Sequence, residues 1–455
     1  MTRRWIFPAV AAVALIVAIF AAAPFVAEMG STSSASRNAA DAPDEGDPTA
    51  KADPAKHDQA HPRRRAADEY AEFRRSVEER RAAGRPTTIR ELLGPDPPDA
   101  ENAAVELNAA LGAVTAEFGA EDTWPKIGPW GDELIAEQTS EQLDALRAFV
   151  ERFRPFCDRV ASGLDRPRCR LPVPEAMDEV WDRAVRPLQQ ASRILTAIAR
   201  GDVDVERRLD ALSTLLRLGR RNEPTAATAS MVNAALAKGA VVTIRDGVER
   251  NELDARVVRS RLDTLLTTDW VATGPAFFEL QFVGNLANSS AWIDGELKIP
   301  TGMEKFVTLR APSPEELVAT MDALERASRL AASPFRDYLA GVEAIDERAR
   351  TTNLPTVGAL FVRKLGEVEA ACRLARVALA AAEHRATHGD FPASLDDLKP
   401  MFADGVPLDP FTDTPFVYEK TVTGVRIASL GRLANEDAID EETLREKCLV
   451  WELKR

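Results

Sequence analysis

Hydrophobic and polar positions follow different rhythms in successive parts of the chain. From Ile6 to Ala27 no charged residue occurs. At 1.5 Å per residue that run spans about 33 Å, enough to cross a hydrocarbon core, so a single transmembrane signal-anchor is predicted within residues 1–30. Residues 31–62 are built from Ser, Ala, Asp, Pro and Lys without apolar periodicity. They are expected to form a disordered tether with a reach of roughly 30 Å. From 63 to 355 apolar residues recur at three and four, which predicts a helical domain. No fixed repeat period emerges, so the pattern predicts an irregular stack of helical hairpins and no named repeat family. The last stretch, 356–455, changes again. One long apolar helix is followed by short runs with the spacing of strands.

Local signals sharpen the helical part. Ala66, Tyr70, Phe73 and Val77 mark a charged helix over 63–83 that Gly84 and Pro86 stop. Asp99 is the expected N-cap of a helix carrying Val105, Leu107 and Leu111, and Thr139 with Gln142 has the spacing of a capping box. Asp202 and Asp204 read as caps for the helix through Leu209, Leu212, Leu215 and Leu216. Further helices are expected at about 225–249, 254–267 and 274–287. Residues 288–312, with Asn, Ser, Gly and Pro around Trp292 and Ile293, predict a long loop or small hairpin. Ser313-Pro314-Glu315-Glu316 then restarts a helix.

The C-terminal pattern predicts a helix from about 357 to 388 that Gly389 ends. A short helix should follow over 394–398. Strands are predicted at 416–420, 425–430 and 449–453, with turns between the first two. The fold class expected is therefore mainly α: an N-terminal transmembrane helix, a helical-hairpin body, and a small C-terminal α+β module with a three-stranded antiparallel sheet on its long helix.

Arg3 and Arg4 precede the apolar run, whereas Glu28, Arg37, Asp41 and Asp44 follow it. The positive-inside rule places the N-terminus in the cytoplasm and the body outside, on the bacterial cytoplasmic membrane. A cleavable signal peptide is the rival, but its apolar core is normally shorter, and Pro24 follows the best small-residue site, Ala21-x-Ala23. A twin-arginine signal matches only loosely.

The string His388-Gly389-Asp390-Phe391-Pro392, with Leu395 and Leu398, is followed by Asp409-Pro410-Phe411, Pro415-Phe416-Val417-Tyr418 and Ser429-Leu430-Gly431. Over roughly 366–455 this resembles the C-terminal end of the type II secretion major pseudopilin. It is also similar to a group of uncharacterised bacterial envelope proteins. In those, a membrane helix and a helical domain, often with an Asn-Ala-Ala like Asn102-Ala103-Ala104, precede such a tail. The resemblance implies a calcium loop after the Ser-x-Gly strand, where Asp437, Asp440 and Glu441 would be the ligands. Two departures stand beside it. Between Trp5 and Ala27 there is neither the family's Gly-Phe processing site nor its glutamate, and the acidic loop lacks the family's glycines. An EF-hand is excluded because Asp440 occupies the position that needs glycine.

Charge and composition narrow the chemistry. With 58 basic and 72 acidic residues the net charge is −14, which argues against nucleic acid as a partner. Four cysteines, Cys157, Cys169, Cys372 and Cys448, permit two disulfides in an oxidising compartment. Cys157 with Cys169 and Cys372 with Cys448 is one arrangement, and free buried thiols are the alternative. His384 and His388 have the spacing of half a zinc site, without the glutamate of a metalloprotease helix. The only other histidines are His57 and His61. Histidines facing a helix C-terminus are the ordinary reading of such a pair. The arginines between Arg147 and Arg170 could meet an anionic lipid or polysaccharide, or form a solvated face. Trp124, Trp130 and Trp292 could stack on a ligand or pack a loop onto the core. Asn288-Ser289-Ser290 fits a glycosylation sequon. No P-loop, dinucleotide fingerprint or nucleophile elbow is present in the sequence.

The expectation is a membrane-tethered extracytoplasmic binding or scaffolding protein of the envelope, not an enzyme, with an unidentified protein partner and no cofactor beyond the calcium implied above. A component associated with type II secretion or a pilus-like system is the first alternative. A metal-dependent hydrolase using His384 and His388 is the second.

Overall fold

The computed structural model describes residues 70–119, 140–174, 179–293, 313–351, 358–433 and 448–454. The expected anchor over residues 6–27 and the tether lie outside them. The helices are α1 (Ala71–Ala82), α2 (Ile89–Leu93), α3 (Ala103–Phe118), α4 (Ser140–Gly163), α5 (Arg186–Gly201) and α6 (Val205–Arg221). They continue with α7 (Ala227–Glu249), α8 (Ala255–Leu266), α9 (Gly274–Ile293), α10 (Pro314–Leu330), α11 (Phe335–Thr351) and α12 (Ala359–His388).

Side chains that satisfy orphan amides set several helix starts. Thr88 and Ser313 make capping boxes with Glu91 and Glu316, and Asp204 and Asp254 cap α6 and α8. The cap of α3 is Asn102, not the expected Asp99, which sits in a preceding 3₁₀ turn, Asp99–Glu101. Thr139 lies outside the described residues. A second difference concerns 288–293, expected as loop. The α9 helix runs through them to Ile293, packed along α10, and the burial of Ser289 shows that this packing overrides the polar local sequence.

Consecutive helices pack as hairpins: α3 on α4, α5 on α6, α6 on α7, α9 on α10 and α10 on α11. The α7 helix is long and apolar enough, by length and composition, to cross a membrane. Here it lies inside the body, against α5, α6, α9 and α12.

Two short parallel strands, β1 (Cys169–Arg170) and β2 (Asn222–Glu223), join the end of the α4 hairpin to the end of α6. Near the C-terminus, β3 (Leu408–Asp409) pairs antiparallel with β4 (Thr414–Pro415). The strands β5 (Val417–Lys420), β6 (Gly424–Ser429) and β7 (Leu449–Lys454) form an antiparallel sheet in that order.

The α12 helix packs on α7, α8 and α11 and also on β3, β6 and β7. A contiguous apolar cluster extends from Tyr70 to Leu453, so the helices before residue 355 and the sheet after it share one interior. Gly366 permits this at one crowded point, because a Cβ there would overlap the Phe335 ring. Phe335 in turn meets Phe411 edge-on at 5.3 Å. At the other end, Gly389 terminates α12 in the left-handed region, with φ of 85°. The carboxylate of Glu249, at the end of α7, accepts the Glu452 amide of β7 at 2.7 Å, which closes part of that sheet edge.

Candidate functional site

A partly buried polar assembly surrounds β1 and β2. The Asn102 side chain behaves like a strand residue there. Its Oδ1 accepts the Arg170 amide at 2.8 Å, and its Nδ2 donates to the Arg170 carbonyl at 2.9 Å. The same oxygen accepts the Ala104 amide and so caps α3. Arg170, 3% exposed, donates to the carbonyls of Leu93, Gly94 and Pro95 and to Glu223 Oε2. Arg168 grips Glu223 in a two-pronged pair at 2.6 and 2.5 Å. Burial pushes the Glu223 carboxyl up, but the hydrogen bonds from both arginines outweigh it and hold the group below the ordinary carboxylate range. Behind β2, Asn222 and Asn233 exchange two bonds of 2.9 Å. The assembly fixes where the 93–95 loop, α3, β1, β2 and α7 meet.

The other arginines of that segment also find acids. Arg147 pairs with Asp144, Arg152 with Glu117, Arg154 with Glu151, and Arg159 and Arg166 with Glu106. Most of these acids lie outside the arginine run. The expected cationic face is therefore locally neutralised, and surface pairs of this kind add little stability. Asp202 and Asp204 act as the end-groups the sequence suggested. Asp204 caps α6, and Asp202 accepts the Asp204 amide and two bonds from Arg207.

A fully buried acid elsewhere was not visible in the sequence. Glu369, in the middle of α12, accepts the Trp270 amide at 2.7 Å and Arg373 Nε at 2.6 Å. Burial is the largest influence and raises its pKa despite these donors. Asp346 reaches across from α11 to accept the Ala359 amide at the start of α12.

The motifs of the C-terminal string converge beside the end of α12 and the strands that follow it. Asp409 is 3% exposed. It accepts the Phe411 amide through Oδ1, while its own carbonyl accepts Thr412 and Asp413. Burial raises its carboxyl, opposed by the Phe411 amide and the Ser429 side chain. The Tyr418 hydroxyl donates to the Pro392 carbonyl at 2.7 Å, and Arg385 lies over the Phe391 ring.

His384 and His388 stack at the end of α12, with ring centroids 4.2 Å apart. Each Nδ1 meets a backbone carbonyl: Asp390 for His384 at 3.1 Å and His384 for His388 at 3.0 Å. Among the described residues no group of three or more His, Cys, Asp or Glu is placed to hold a metal. The calcium candidates Asp437, Asp440 and Glu441 lie outside those residues, as do Trp124 and Trp130. Asn288-Ser289-Ser290 falls within α9.

The two disulfides considered from the sequence are not formed. None of the four cysteines is in a disulfide, and three are buried. Cys157 lies beside Thr214, and burial pushes its thiol up to about 12. Cys169 faces Asn222 Oδ1 at 4.0 Å, and burial likewise raises it to about 12. Cys372 is enclosed along α12, where burial raises its thiol, and Cys448 approaches the Leu430 carbonyl at 3.7 Å. Each sulfur is thus directed to a neighbour other than the expected cysteine. The loop that Cys157–Cys169 would close is instead held by Arg221, which donates to the carbonyls of Leu164 and Arg166.

No family model, curated protein or solved structure matches the chain.

Proposed function

We propose that this chain is a membrane-tethered, extracytoplasmic binding or scaffolding protein of the bacterial envelope. The observation that carries the reading is the sharing of α12 between the helical body and the terminal sheet. A shared interior turns the two into one presenting surface at the end of the tether expected over 31–62. The charge step from Arg3 and Arg4 across the apolar run supports the outward orientation. Near β5, Val417 and Val422 are 41% and 95% exposed, which supports contact by the sheet end. On this reading the protein presents surfaces to a protein partner and has no catalytic centre.

Protease treatment of intact spheroplasts carrying a C-terminal epitope tests the location. Digestion from outside is expected, and full protection overturns it. A photocrosslinker placed at Val417 or Val422 in native membranes tests the binding role. A defined crosslinked protein is expected, and none at either position removes the role of the sheet end.

A second reading, association with a type II secretion or pilus-like system, is favoured by one observation. The quoted string meets at a single junction, through Tyr418 to Pro392 and the buried Asp409 turn. Recovery of secretion pseudopilins in the same crosslinking would promote it over the first.

A further inference from the structure

We propose that His384 and His388 form a two-nitrogen site for a late first-row divalent metal ion, such as copper, nickel or zinc, at the end of α12. The hydrogen bonds carry the argument. A carbonyl oxygen has no proton to give, so both contacts at the Nδ1 atoms, 3.1 Å to Asp390 and 3.0 Å to His384, require the proton on Nδ1. In the neutral ring that leaves the lone pair on Nε2, the form in which imidazole ligates a metal. Backbone carbonyls bonded to the far nitrogen are also the usual outer-shell partners that orient ligating histidines. The tautomer that a metal would otherwise have to impose is therefore set in advance.

The helix supplies the spacing. Residues four apart share a face, and the rings stack with centroids 4.2 Å apart and planes 26° from parallel. Metal–nitrogen bonds of about 2.0–2.1 Å need the two nitrogens roughly 3 Å apart in a cis arrangement. In the stacked arrangement the lone pairs run side by side, so binding requires rotation about the side-chain bonds to converge the two Nε2 atoms on one ion. The first ring is held by the turn that ends the helix. Gly389 is left-handed, and Asp390 supplies the carbonyl to His384 while its Oδ1 accepts the Phe391 amide.

His388 is exposed and His384 half-buried, so the site is open to solvent. Among the described residues no third His, Cys, Asp or Glu completes a cluster. Water would fill the remaining positions, and exchange should be fast. Imidazole ligands suit the late first-row ions, with copper the tightest in the usual affinity order.

The test uses the untagged full-length chain carrying His57→Ala and His61→Ala, which removes the other histidine pair of the same spacing. Nickel is titrated by calorimetry, and copper is added for electron paramagnetic resonance. The expected result is one equivalent of saturable binding and hyperfine coupling to two nitrogens. Further substitution of His384→Ala or His388→Ala should each weaken binding at least about tenfold, because a chelate becomes a single ligand. Circular dichroism should show the helix content retained in both. Binding equally strong in both single variants, coupling to one nitrogen only, or no saturable binding in the parent chain below millimolar nickel would each overturn the proposal.

Discussion

Glu223 and Glu369 are both acids drawn into the protein beside arginine, yet their surroundings displace them in opposite directions. Glu223 receives Arg168 and Arg170 together at the meeting of two short strands. Glu369 receives one arginine and one amide in the middle of a largely buried helix. The difference extends to the regions they occupy. Around β1 and β2 the chain is held by directional bonds between segments far apart in sequence. Along α12 it is held by close apolar packing, with Leu374, Ala375, Val377, Ala378 and Leu379 fully buried. Paired donors can keep a half-buried acid charged, whereas a single arginine does not offset deeper burial.

The largest expected effect comes from Arg170→Ala. It removes one partner of Glu223 and leaves the carbonyls of Leu93, Gly94 and Pro95 without their donor. A loss of about 4 kcal/mol is expected by chemical denaturation. A loss below about 1 kcal/mol would show that water replaces the guanidinium readily and would dissolve the contrast. Leu374→Ala probes the other region. Truncating a fully buried leucine should cost about 3 kcal/mol through lost transfer energy and the cavity left behind. Asn102→Ala should cost about 2 kcal/mol, since it removes the α3 cap and both bonds to the Arg170 backbone. Tyr418→Phe deletes a single hydrogen bond to Pro392 and should cost about 1 kcal/mol.

The smallest effect is the most direct test of the opposed acids. Glu223 has its pKa lowered in the folded protein. The unfolded chain therefore binds more protons between that lowered value and the ordinary glutamate value of about 4.3, and its contribution is lost as pH falls through that window. Glu369 has its pKa raised, so above about 4.3 and up to that raised value the folded chain binds more protons, and stability falls as pH rises. The advantage of the parent over Glu223→Gln should shrink on acidification, while its standing against Glu369→Gln should improve. Denaturation midpoints over the acidic range read both slopes. Slopes of the same sign in the two variants would contradict the opposed environments.

The same contrast explains what could be read from the chain alone. The α12 helix was legible within about two residues, and the three C-terminal strands within one, because periodicity, Gly389 and the intervening turn are local signals. The Ser313 capping box was legible for the same reason. The α3 cap was misplaced at Asp99, although both residues are good caps, since the choice of Asn102 depends on Arg170, far along the chain. Glu223 and Asn233 carry no local mark of their role either. Residues 288–293 look like a loop until α10 is laid beside them. The cysteine spacing suggested bridges, whereas the sulfurs are directed by packing toward Thr214, Asn222 and the Leu430 carbonyl.

For the histidines the division is sharper. The sequence determined that His384 and His388 share a helical face near its end, because four-residue spacing and Gly389 are sufficient for that. Only the folded turn decided which nitrogen of the His384 ring carries its proton, since the Asp390 carbonyl comes within reach of it after the helix has stopped. The sequence likewise determined a mainly helical body followed by a small sheet. It left open that the two share one interior, because the packing of α12 on α7 and α8 depends on contacts between residues far apart in the chain.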